Sequence, residues 1–225
     1  MTENAISYPS RPDPAVDSPP FLIRLLARIT SYIFHPLFIP VYVVGFLLFI
    51  HPLLFAGYGV QAKWRLMSTV GFNLSFLPVF TVFLCWRLKF VDNMFLNTQK
   101  ERIIPLAAAM IFYFWCWYVM KSFKEIPPLF IQFMLGSFIT IIIAWLANIY
   151  FKISLHALAV GGMACFMLIV AQVADGSSGQ WVAASILIAG AVCSSRLMVS
   201  DHYPSEIYLG LLSGAFCQLV AFWLN

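Results

Sequence analysis

The chain has 225 residues, of which 62% are hydrophobic and 10% charged, with a formal net charge of +4 at pH 7. A soluble domain carries roughly 25% charged residues, so this composition excludes an ordinary water-soluble globule. So small a net charge also gives no basic surface for nucleic acid. The charges fall in short clusters between long apolar runs. Runs of about 18 or more apolar residues cross a bilayer as helices, and continuous rather than alternating runs select helices over the strands of a membrane barrel.

Residues 1–20 hold Pro9, Pro12, Pro14, Pro19 and Pro20 among scattered polar groups. They read as a flexible Pro-rich tail without the basic start and apolar stretch of a signal peptide. Residues 21–225 read as a single transmembrane helical domain. Arg24 and Arg28, four apart, share one face of an interfacial amphipathic turn over residues 21–30. Span 1 is expected over residues 33–55, bent at Pro36 and Pro40, and span 2 over 66–86. A polar loop, 87–104, leads to a short span 3 over 105–120. The segment 121–128 turns the chain into span 4, 129–150. Span 5 is expected over 155–174, span 6 over 181–198 after a turn at 175–179, and span 7 over 207–224. The expected fold class is therefore an all-α integral membrane bundle of about seven transmembrane helices. Gly210 and Gly214, in small-xxx-small spacing, predict close packing of span 7 on a neighbour. The five cysteines lie singly in apolar segments with no CxxC, and read as packing residues rather than disulfides or metal ligands.

Three polar clusters stand out in so apolar a chain: Lys100-Glu101-Arg102; Ser154 with His156; and Ser195-Arg196 with His202 and Glu206. Each lies at the start of an odd-numbered span or the end of the even span before it. Spans alternate in direction, so all three fall on one membrane face and can converge. Helix N-termini attract phosphate through unpaired N–H groups and a partial positive charge, and the arginine fork donates two hydrogen bonds to a phosphate. Arg102 and Arg196, with Lys100 or Lys152, thus make a candidate anion site at the bilayer edge. His202 and Glu206 are four apart and share a helical face, so the carboxylate can bond one imidazole nitrogen and leave the other as nucleophile or base. The acidic residues are too few for a two-metal phosphatase, so no metal or other cofactor is expected and histidine is the best nucleophile for phosphoryl transfer. Arg24, Arg28, Lys63, Arg65, Arg87, Lys89, Lys121 and Lys124 read as interfacial anchors, and His35 and His51, beside prolines, as structural.

At these residues the chain resembles the type 2 phosphatidic acid phosphatase superfamily of membrane lipid phosphatases, with motifs KxxxxxxRP, PSGH and SRxxxxxHxxxD. The third is matched by Ser195-Arg196, five residues, His202, three residues and a carboxylate, here Glu206 rather than Asp. Of the second, Ile153-Ser154-Leu155-His156 keeps Ser and His but lacks Pro and Gly. Of the first, Arg102 is followed by Ile103-Ile104-Pro105, and Phe95 stands where the lysine belongs. The resemblance covers roughly Lys100 to Gly214 and is similar to a small bacterial subgroup with KISxH-type second motifs. It implies a six-helix core and a bacterial inner membrane. It also implies a metal-independent lipid phosphatase in which His202 becomes a phosphohistidine, Glu206 orients it and His156 protonates the leaving group. Arg102, Ser154, Ser195 and Arg196 would hold the phosphate, with Lys100 or Lys152 replacing the missing lysine. The implied partner is a lipid phosphate or diphosphate within the bilayer. Two rivals stand beside it: a non-catalytic binder of anionic headgroups, and a small transporter using Asn73, Ser75, Gln132 and Gln172 in mid-span. Apart from Lys100, Arg102 and Arg196, the site face carries Arg11, Arg24, Arg28, Arg87, Lys89 and Lys152, against Lys63, Arg65, Lys121 and Lys124 opposite. The positive-inside rule leans the site toward the cytoplasm.

Overall fold

The computed structural model describes residues 20–96, 98–174, 179–199 and 202–224. The Pro-rich tail before Pro20, four residues of the expected turn at 175–179, and Ser200 and Asp201 lie outside the described residues. What is described is helical, with no strand among the described residues. In chain order the helices are α1 (Phe21–Ile33), α2 (Ile39–Gly45), α3 (Val60–Gly71), α4 (Leu77–Arg87), α5 (Gln99–Lys121), α6 (Pro128–Tyr150), α7 (Leu155–Val173), α8 (Gly179–Val199) and α9 (Pro204–Leu224). A wide π turn, Phe46–Ile50, extends α2, and another, Phe72–Phe76, joins α3 to α4 in one rod of 28 residues. Among the described residues six helical stretches are long and apolar enough to cross a membrane: Val60–Arg87 and each of α5 to α9.

The seventh expected passage is shorter than its sequence suggests. In place of a helix over 33–55, only Ile39–Ile50 is helical. Pro40 sits in its first turn, and Pro36, without an N–H, stands in the turn ahead of it. At the far end His51 precedes Pro52 and is extended, as the residue before a proline tends to be. The segment still runs the depth of the bundle beside α7. His35 meets His156 in the first turn of α7, and the His51 ring lies beside the Ala174 backbone just after its last.

Two other boundaries move. The second span begins at Val60 and takes in Lys63 and Arg65. Span 3 begins at Gln99, not Pro105, because Thr98 caps it. The Thr98 hydroxyl accepts the Glu101 N–H, and the Glu101 carboxylate accepts the Thr98 N–H at 2.9 Å, a reciprocal capping box. Pro105 is accommodated inside the helix.

Helix α7 forms the axis of the bundle: 61% of its most apolar stretch is buried, against 28% in α8. Residues such as Ile111, Leu187, Leu212 and Trp223 point outward, an apolar belt of the kind a bilayer covers. α7 and α9 meet backbone to backbone. A Cβ on Gly214 would lie 1.9 Å from the Leu158 carbonyl oxygen, one on Gly161 2.1 Å from the Leu211 oxygen, and one on Gly210 2.8 Å from the Ser154 oxygen. The expected close packing through Gly210 and Gly214 is thus present, with Gly161 as its counterpart. Polar groups in mid-span tie helices or stay within them. Gln218 donates to the Gln132 carbonyl, Asn73 to the Thr69 carbonyl, and Ser75 to the Leu37 carbonyl.

Candidate active site

The close α7–α9 contact brings two helix starts together. Ser154, fully buried, caps α7 with its hydroxyl 3.5 Å from the Ala157 N–H. Its own N–H donates to the Glu206 carbonyl at 3.3 Å, so the first turns of α7 and α9 are joined directly. Pro204 opens α9, where its missing N–H costs nothing.

His202 stands just before Pro204. Its Nδ1 lies 2.9 Å from Glu206 Oε2 and 3.0 Å from the Lys152 carbonyl oxygen. Both neighbours are acceptors, so Nδ1 carries the hydrogen and Nε2 is left with its lone pair. Glu206 Oε2 also accepts the Tyr203 N–H at 3.1 Å, which fixes the carboxylate behind the ring. Burial, with help from Arg102 and Arg196, holds His202 below the ordinary imidazole value against the opposing pull of Glu206. The ring is therefore neutral at pH 7 and its Nε2 is available.

Arg102 arrives from the first turns of α5. Its Nε donates to the Leu96 carbonyl at 3.0 Å, and its Nη1 is buried without a hydrogen-bond partner. Leu96 adopts a left-handed backbone, φ 50°, which is uncommon outside glycine. Glu101 clasps the same loop through the N–H groups of Asp92 and Thr98. The loop thus aims the guanidinium.

His156, in the first turn of α7, places Nε2 3.1 Å from the Ser31 carbonyl of α1. Arg196, in the last turn of α8, acts electrostatically on His35, His156 and His202 together. Arg102, Lys152, His156, Arg196 and His202 all line one cavity of about 960 Å³. From this charged end the cavity runs between helices past Pro78, Leu106, Tyr113, Phe133 and Met163. It is cationic and imidazole-bearing at one end and mostly apolar along its depth. No family model matches the chain, and neither a curated protein nor a solved structure does.

Not every expected residue reaches the cavity. Lys100 is exposed and does not line it. Position 100 is next to Glu101 in the first turn of α5, and its side chain leaves on a different face from that of Arg102. Ser195 is buried and donates to the Ala191 carbonyl of its own helix at 2.7 Å. Ser154 spends its hydroxyl on the helix cap. None of these three residues is among those that line the cavity. Lys152 does line the cavity, and its carbonyl holds His202. Glu206 acts from behind His202 rather than from the cavity wall. His35, beside Pro36 and expected to be structural, lines the cavity 5.3 Å from the His156 ring, centroid to centroid. The Thr98-x-x-Glu101 spacing is the signal that would have placed Arg102 on a helix rather than in a loop. Among the described residues no group of three His, Cys, Asp or Glu side chains is placed to hold a metal ion.

Proposed function

We propose that the chain is a membrane-embedded, metal-independent phosphatase that hydrolyses a lipid phosphate or diphosphate through a phosphohistidine on His202. This is the activity of the type 2 phosphatidic acid phosphatase superfamily, which its third motif resembles. The observation that carries the reading is the pinning of His202 Nδ1 by Glu206 and the Lys152 carbonyl, which leaves Nε2 as a neutral nucleophile beside two arginines. In the first half-reaction the Nε2 lone pair forms a bond to phosphorus and the bond to the leaving oxygen breaks. The lone pair on His156 Nδ1, the nitrogen not bonded to Ser31, takes the proton that a lipid phosphate monoanion carries and passes it to that oxygen, and Glu206 stabilises the charge that develops on the His202 imidazole. In the second, water attacks phosphorus, the N–P bond breaks and its electron pair returns to Nε2. Arg102 and Arg196 bind the phosphoryl oxygens in both. The apolar depth of the cavity suits a hydrocarbon chain, and on this reading the protein works in a bacterial inner membrane. The test is phosphate release from detergent-solubilised lipid phosphates, with a rapid-quench search for acid-labile phosphohistidine. His202→Ala should abolish both together, and turnover that survives it overturns the nucleophile.

A second reading has one observation in its favour. Lys100, Ser154 and Ser195 do not line the cavity, so the phosphate-binding set is smaller than the resemblance implies. A protein that binds anionic headgroups without hydrolysing them would show saturable binding and no phosphate release.

A further inference from the structure

His35 is the one cavity-lining histidine that the proposed mechanism does not use. It lies in the link between α1 and α2. Its Nδ1 is turned back to its own backbone, where it accepts the Leu37 N–H at 3.4 Å. The Leu37 carbonyl in turn accepts the Ser75 hydroxyl, so the link is tied to the π turn between α3 and α4. Phe38 flanks the ring at 6.1 Å and His156 meets it nearly at right angles, 80° between planes. Burial first, and then Arg196, keep His35 below the ordinary imidazole value, so it is neutral at pH 7.

The tautomers of the two rings follow from these bonds. His35 accepts at Nδ1, so its hydrogen is on Nε2. His156 faces the Ser31 carbonyl with Nε2, so its hydrogen is there and its Nδ1 holds a lone pair. One ring is left with a donor and its neighbour with an acceptor. A water molecule is the ligand that satisfies both at once, since it accepts from an N–H and donates to a lone pair.

We propose that His35 and His156 together bind and orient the water that hydrolyses the phosphoenzyme. This rests on the phosphohistidine reading of the same site. His35 Nε2–H holds the water oxygen, and His156 Nδ1 takes one of its protons as the oxygen bonds to phosphorus. The second proton stays on the phosphate, and the electron pair of the broken N–P bond returns to His202 Nε2. His35 therefore serves the second half-reaction, whereas His202 and the arginines serve both.

The experiment is rapid-quench and single-turnover kinetics with a lipid phosphate labelled in its phosphoryl group, on wild type, His35→Phe and His35→Gln. Phenylalanine keeps the ring contacts with Phe38 and His156 but has no N–H, while glutamine carries an amide N–H near the position of Nε2. His35→Phe should form phosphohistidine at close to the wild-type rate and break it down about 100-fold more slowly, so that phosphoenzyme accumulates. His35→Gln should recover part of the loss. Breakdown at the wild-type rate in His35→Phe, or formation and breakdown slowed equally, overturns the role of His35. An absence of any phosphohistidine in wild type during turnover would instead sink the phosphohistidine reading, so the two failures are distinct.

Discussion

Placing one methyl group at Gly214 should loosen the whole site without touching a catalytic side chain. A Cβ there would sit 1.9 Å from the Leu158 carbonyl oxygen and 2.9 Å from the Gly162 nitrogen, where ordinary contact begins at 3.4 Å. These obstacles are backbone atoms of α7, so no side chain can swing aside and the helices must separate. Overpacking of this kind costs about 3 kcal/mol at the upper end of its usual range. Alanine returns about 1 kcal/mol through its better helix propensity. The net loss of about 2 kcal/mol corresponds to a melting temperature lower by about 4–8 °C for a chain of this size. Separation at Gly214 is passed along the contact to Gly210 and to the Ser154–Glu206 backbone bond, and hence to the pinning of His202. A displacement of about 1 Å there costs about 100-fold in rate. Gly190→Ala in α8 is the control, since a Cβ at that position meets nothing within 4 Å. Thermal unfolding in detergent, with turnover measured on the same samples, reads both effects. If Gly214→Ala melts with Gly190→Ala and turns over like wild type, the backbone contact does not position the site.

Glu206→Gln should retain lipid-phosphate binding but slow phosphoenzyme formation by about 100-fold or more, because the fixed tautomer and the countercharge are lost together; binding and burst rates measured separately check this. Arg102→Ala removes a charged donor whose hydrogen bonds are each worth about 1.5–3 kcal/mol, so headgroup affinity should fall roughly 10- to 100-fold, read by titration with a lipid phosphate in mixed micelles. Stability should depend on pH through His35 and His202, whose folded values lie below 6.5. Below that pH the unfolded chain takes up protons that the folded histidines refuse, so stability should fall between pH 7 and pH 5 by up to about 1.4 kcal/mol per pH unit for each ring, read as a falling melting temperature. A flat profile over that range would count against both burials.

The apolar runs made most of this architecture readable. Six of the seven expected passages appear as helices over the stretches that hydropathy marks, two of them beginning six residues early, because span length is set by bilayer thickness. Boundaries failed where local chemistry overrode hydropathy. Thr98 and Glu101 start α5 six residues earlier than its proline suggests, and Pro36, Pro40 and Pro52 confine a 23-residue apolar run to a 12-residue helix. For the site, the parity of the spans was enough to bring Arg102, His156, Arg196 and His202 to one end. Parity says which end a residue occupies but not which way it faces. Lys100 and Ser195 lie off the cavity lining for that reason, since one position along a helix turns a side chain by about a quarter of the circle. His35 could not be assigned because its neighbour His156 is 121 positions away and only the fold sets them ring to ring.

The shape of the cavity has a kinetic consequence. If the proposed lipid phosphate is its ligand, a pocket whose charged end lies at the helix termini and whose depth is walled by the bundle would be supplied from within the bilayer. That ligand would be encountered by two-dimensional diffusion, so occupancy would follow mole fraction at the interface rather than molarity in the tube. Adding neutral detergent at constant protein and lipid phosphate would then lower the rate by surface dilution. A soluble phosphate ester of the same headgroup would be insensitive to that dilution.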